Sequence, residues 1–255
     1  SRGLGDVYKR QTDGHLVMAY LFLKAQGLAG KPVADIRIDG AGKKVTRSDN
    51  CRVSDLSVSS DNLTFTYEAK SLPYPIDTSY YDNEKHTQAD ALSVIPFMDE
   101  MNYEGLSVSG LSDGYYGLTI GGEFIGRFTA RELERGINMA LLQNTPQYKQ
   151  AMKIRQMNEE RWLKERKMRE FYWVEYNLMR KTGMLWACNE AAVDTLRKYR
   201  PHDIFLQWNG ALWLQYMHKG IREDCVNEQQ DLVNQIYEQN KPIPLQIEIK
   251  KFTDL

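Results

Sequence analysis

Asp13 and His15 stand one residue apart, an acid and an imidazole of the kinds that move protons in hydrolysis. Spacing names no nucleophile beside them, so the expected reading of His15 is a histidine at a helix entry. His86, His202 and His218 lie far apart with no His-x-x-x-His pattern, and no metal site is expected. Cys51, Cys188 and Cys225 are too few and too scattered for a disulfide framework or a zinc site, and they leave the compartment open. Gly121-Gly122 reads as a hairpin turn, because no strand-to-helix step with a glycine-rich fingerprint surrounds it. No cofactor is expected. The possible ligand-binding residues are tyrosines, Tyr80, Tyr81, Tyr115 and Tyr116, whose rings suit sugar faces if exposed. Trp162, Trp173, Trp186, Trp208 and Trp213 all fall in the C-terminal half, where packing a helical core is the expected role.

Composition bounds the partners. With 42% hydrophobic and 26% charged residues and a net charge of -1, the 255-residue chain lacks the basic excess of a dedicated nucleic-acid binder. No apolar run reaches the roughly 20 residues a membrane span needs. Leu16 to Ala25, LVMAYLFLKA, is apolar on every side except Lys24, and a helix of that kind must be covered on more than one face.

The elements that would position these residues follow from periodicity. From Val33 to Phe128 the pattern is β: ADIRID, KKVTRSDN, LSVSS, LTFTYEAK, GLSVSGL, YYGLTI and EFIGRFT alternate. Turn chemistry separates them at Asp39-Gly40-Ala41-Gly42, Ser60-Asp61-Asn62, Ser112-Asp113-Gly114 and Gly121-Gly122. The spacing predicts an antiparallel meander without βαβ crossovers. Thr129-Ala130-Arg131-Glu132 is a capping box opening a helix expected to reach about Leu142. Thr145-Pro146 opens a second helix that could run to Lys181 before Gly183, with Glu160–Lys164 and Glu165–Arg169 pairs on a solvated face. Helices near Glu190 to Lys198 and Phe205 to Gln239 and a strand-like tail, PLQIEIKKF, complete the chain. The class is α+β, a β-rich antiparallel middle followed by a helical C-terminal region.

Gly14-His15-Leu16-Val17-Met18-Ala19-Tyr20 resembles the last helix of SGNH (GDSL-type) esterases, where a Gly-His pair follows the catalytic Asp-x-x-His-Pro block. Leu106 to Ile154, with Gly136, Asn138, Ala140 and the Thr145-Pro146 helix start, is similar to a C-terminal extension carried by one bacterial group of these hydrolases. The resemblance implies a flavodoxin-like α/β domain ahead of this chain, a catalytic serine acting through an acyl-enzyme, and a periplasmic or secreted location. It carries Gly14 and His15 over as motif residues outside the catalytic set, and no catalytic residue onto this chain.

Ser1 to Gln11 has no structural period, and Asp6 to Gln11 reads back as the transposon end of a sequencing-library adapter. The expected division is therefore 1–11 adapter, 12–30 last helix of a truncated hydrolase domain, 31–128 β-rich accessory region and 129–255 helical region. The expected function is the C-terminal part of an ester hydrolase acting on acyl or acetyl esters, those of carbohydrates among them, inactive without its missing N-terminal domain in cis. The alternative is a non-catalytic carbohydrate-binding or structural module.

Overall fold

A computed structural model describes residues 12–78 and 87–252. The adapter reading of residues 1–11, Tyr80, Tyr81 and His86 lie outside the described residues. Two compact units divide the chain: Ile154–Gln239 is one, and the described residues before and after it form the other. These boundaries differ from the expected divisions at 30/31 and 128/129.

The first unit is a sandwich of two sheets. The first sheet has the order β2 (Lys44–Asp49), β1 (Ala34–Asp39), β5 (Glu104–Ser109), β8 (Ile137–Asn138). The second has the order β3 (Cys51–Val58), β4 (Asn62–Ala69), β9 (Leu245–Lys251), β6 (Tyr115–Ile120), β7 (Glu123–Thr129). The period of two sends alternate side chains inward: Ile36 and Ile38 from β1, Leu106 and Val108 from β5, Leu63, Phe65 and Tyr67 from β4, Leu118 and Ile120 from β6, Ile247 and Ile249 from β9. These close into one core, and each large apolar side chain so buried contributes about 1.5–3 kcal/mol.

Three long-range features went unread in the sequence. β1 and β5 pair in parallel, Ile36 opposite Leu106, so the first sheet is not a pure meander; the described part of the crossing between them holds β2, β3, β4 and two short helical segments, Gln88–Ser93 and Phe97–Glu100, instead of a single long helix. The tail forms β9, a central strand hydrogen-bonded antiparallel to β4 and to β6. Ser112-Asp113-Gly114 joins β5 to β6 across the two sheets and is not a hairpin. Asn50, with φ 54°, stands at another change of sheet, between β2 and β3, its amide donating to Val33 O at 2.9 Å.

α1 (Thr12–Ala25) packs on a second cluster in the same unit. Leu16 and Tyr20 are buried against Ile76, Ala91, Ile95, Phe97 and Met98 of α2 (Phe97–Glu100), and Ala140 of the segment after β8. The Tyr20 hydroxyl donates to Glu100 Oε2 at 2.7 Å, and Lys24 donates to the same oxygen at 2.7 Å. The expectation of cover on several faces is met on one: Met18, Leu21 and Phe22 are exposed, Phe22 at 63%.

The Thr129–Glu132 capping box forms reciprocally, but its helix, α3 (Ala130–Arg135), stops well short of Leu142. Gly136, at φ 92°, ends it, and Ile137–Asn138 pairs with β5 because Asn138 is held there by four hydrogen bonds. Its Nδ2 donates to Met98 O and Asn102 O, and its Oδ1 accepts from Glu104 N and Ala140 N.

α4 (Pro146–Val174) starts with the Thr145 hydroxyl accepting from Tyr148 N and continues into a π-helical turn, Glu175–Met179, before Gly183 at φ 75°. Both expected ion pairs form on it, Arg169–Glu165 at 2.8 Å and Lys164–Glu160 at 3.6 Å. The second unit adds α5 (Glu190–Tyr199), α6 (Ile204–Tyr216) and α7 (Lys219–Gln239). The single helix expected over 205–239 is broken after Tyr216, where Arg222 Nη1 donates to the terminal carbonyls of Tyr216 and Met217 at 2.6 and 2.7 Å. Trp213 is fully buried in this unit's core with Phe171, Val174, Met179 and Leu196. Trp162, Trp186 and Trp208 are 46–66% exposed, a correction to the core role expected of them: this unit covers one face only of the helix that carries Trp208.

Candidate functional site

The tyrosine pair on β6 separates by strand geometry. Tyr116 is 1% exposed and points into the sandwich, its hydroxyl donating to Ser112 O at 2.9 Å. It is a core residue, which corrects its assignment as a ligand-binding side chain. Tyr115, one residue earlier, faces out at 49% exposure.

Around Tyr115 the outer face of the second sheet carries an aromatic and cationic corner. The Arg127 guanidinium lies 3.9 Å from the Tyr115 ring and 5.1 Å from that of Phe252, and Phe124 meets Phe252 edge-on at 6.4 Å. Gly117 is the floor: a Cβ there would lie 3.2 Å from Phe124 and 3.3 Å from Phe252. Aromatic rings laid over a strand glycine restore the packing that the missing side chain removes. The corner can stack a planar or sugar face and neutralise an anion beside it.

A serine, a lysine and a tyrosine meet beside this corner. Lys251 Nζ donates to Ser112 Oγ at 2.8 Å, and the Tyr116 hydroxyl lies 3.1 Å from the same oxygen. Lys251 is here a hydrogen-bond donor to the serine oxygen, whereas a Ser-Lys mechanism needs the amine to accept the serine proton. The Tyr116 hydroxyl also bonds Ser112's own carbonyl.

Gly14 and His15 lie in the first turn of α1. The Gly14 amide donates to Asp13 Oδ1 at 2.7 Å, and the His15 side chain is exposed, with no serine hydroxyl bonded to it among the described residues. Among the described residues no three His, Cys, Asp or Glu side chains are grouped to hold a metal ion, and no described helix is long and apolar enough to cross a membrane. Cys188 Sγ lies 3.4 Å from His218 Nδ1 at an exposed position, a contact the sequence separation of the two hid.

Two buried carboxyl groups also escaped the sequence reading. Glu104 is fully buried, and burial pushes its carboxyl up to about 7 although Tyr67 and Gln147 donate to Oε1 at 2.8 and 3.2 Å. Among the described residues Oε2 has no hydrogen-bond partner. Burial pushes the Tyr67 phenol up as well. Glu175 sits in the π-helical turn of the second unit and accepts from Trp213 Nε1 and Trp186 N, both at 2.8 Å. Its grip holds Trp186 at φ 62°, a left-handed conformation costly for an aromatic residue. Nothing in the hydrophobic period marks either carboxyl, since a polar residue inside an apolar pattern reads equally as an edge.

The fold is thus an α+β architecture, a β-sandwich with a helical unit inserted in the chain ahead of its last strand. Residues 152–241 match the family described as the diltiazem deacetylase C-terminal helical domain. Among solved structures, the chain is similar to BT4096, a gut microbial diltiazem-metabolizing enzyme, at 39% identity and a TM-score of 0.89 over 95% of this chain. It spans 55% of that enzyme's length. No curated protein matches.

Proposed function

We propose that this chain is the C-terminal accessory part of an SGNH-type ester hydrolase. The parent cleaves acyl or acetyl esters, of carbohydrate or of small acetylated molecules, through an acyl-serine supplied by a preceding α/β domain. Its location is periplasmic or secreted, by the same family resemblance. The similarity to a diltiazem-metabolizing enzyme over nearly the whole chain carries this reading. α1 supports it: the apolar side chains Met18, Leu21 and Phe22 lie on the face turned away from its own cluster, as a helix shared with a neighbouring domain requires. Here the accessory part orders α1 through Tyr20 and Glu100.

Recovering the coding DNA upstream of Thr12 tests this. The expected sequence encodes Gly-Asp-Ser early and Asp-x-x-His-Pro just before Thr12, and the rebuilt enzyme deacetylates diltiazem or acetylated sugars while residues 12–255 alone do not. An upstream sequence lacking both blocks sinks the proposal.

A second reading is favoured by the Tyr115–Arg127–Phe252 corner: a carbohydrate-binding surface on the accessory region. Titration calorimetry with soluble polysaccharides would show heat that Tyr115→Ala abolishes. A flat response leaves the region a structural buttress.

A further inference from the structure

The second unit contains a cleft that neither reading uses. It has a volume of about 360 Å³, within the range of small-molecule sites, and it is built where α4 widens into its π-helical turn. Such turns insert an extra residue into a helix and recur at functional sites. The apolar wall is Trp173, Leu178 and Leu206, with Phe205 stacked on Trp173 at 5.3 Å between ring centres, 38° from parallel.

The polar groups divide into those already engaged and those open to a ligand. Thr182 donates its hydroxyl to Leu178 O, and Asn177 donates its amide to Trp173 O. Asp203 is turned to the start of α6, its Oδ1 accepting from Phe205 N and Leu206 N at 2.8 and 3.2 Å. Lys181, Tyr199 and His202 line the same cleft, and among the described residues none of their side-chain polar atoms has a hydrogen-bond or ion-pair partner. One ammonium without an ion-pair partner, a phenol and an imidazole therefore edge an aromatic slot.

We propose that this cleft binds a small planar aromatic carboxylate, its ring against Trp173 and its carboxylate on Lys181. A single cation matches a monoanion, and the Asp203 carboxylate, committed to its helix, disfavours a second negative charge on the ligand. The slot's flat wall favours an aromatic body over a branched aliphatic one. The proposal does not depend on the hydrolase reading and survives or fails separately from it.

Titration calorimetry of the whole chain with 2-naphthoate at pH 7 and low salt tests it, with 2-naphthylmethanol and acetate as probes lacking one half of the pharmacophore. The expected result is one site of sub-millimolar affinity, weakened about tenfold or more by Lys181→Met and to a similar degree in the alcohol. Backbone amide shifts at Asn177, Thr182 and His202 should move with naphthoate and stay still with acetate. Lys181 is exposed, so the variant folds. No naphthoate binding, equal binding of the alcohol, or indifference to Lys181→Met would each overturn the proposal.

Discussion

The Tyr67 hydroxyl donates to Glu104 Oε1 at 2.8 Å inside the sandwich, where both residues are at most 1% exposed. Burial holds the Glu104 proton in the folded state up to about 7, against an ordinary 4.5 in the unfolded chain. Between those values the folded state binds more protons than the unfolded one, so stability falls as pH rises. The contribution is full below about 4.5, is lost through about 7, and amounts to on the order of 3 kcal/mol. Glu104→Gln keeps the shape and removes the titration. Urea unfolding at pH 5, 6, 7 and 8 should show the difference in stability between variant and parent shifting in the variant's favour with rising pH; a constant difference would mean Glu104 stays in one protonation state throughout.

Asn138 uses its whole side-chain hydrogen-bonding capacity to pin β8 against β5. Asn138→Ala leaves buried donors and acceptors without partners and should cost about 2–4 kcal/mol, at roughly one for each group left unpaired. Asn138→Asp, which cannot donate to Met98 O and Asn102 O, should fare little better. A midpoint unchanged in urea would show that water replaces the amide.

In the second unit Glu175→Ala removes the acceptor of two donors, one on the fully buried Trp213. The expected loss is about 2–4 kcal/mol, with Trp186 released from its left-handed conformation. Near-ultraviolet circular dichroism and unfolding by urea would register both. Retention of the aromatic signal at full stability would contradict the role assigned to Glu175.

The two faces of α1 should respond oppositely. Tyr20→Ala opens the cluster beneath the helix and severs the bond to Glu100, at a cost of about 3–5 kcal/mol. Leu21→Glu with Phe22→Glu alters only exposed positions and should leave stability within about 0.5 kcal/mol while raising solubility. Removing residues before Lys31 to improve solubility should instead fail, because it uncovers Ile76, Ile95 and Phe97. Light scattering of the three proteins at equal concentration checks the set.

What the sequence determined by itself is local. The Thr129–Glu132 box, the Thr145-Pro146 helix start, the hairpins at Gly40–Gly42 and Gly121–Gly122 and the i,i+4 ion pairs all form because their partners lie within four residues, where chain connectivity sets the geometry. Strand alternation likewise put Tyr115 and Tyr116 on opposite faces, but the pattern alone could not say which one faces water. Tertiary structure decided the rest: the parallel pairing of β1 with β5, the tail as a central strand, the halt of α3 where Asn138 binds β5, and the burial of Glu104 and Glu175. Each depends on surfaces brought together from distant parts of the chain, and the free energy of burial belongs to the assembled pair of surfaces, not to either sequence segment alone.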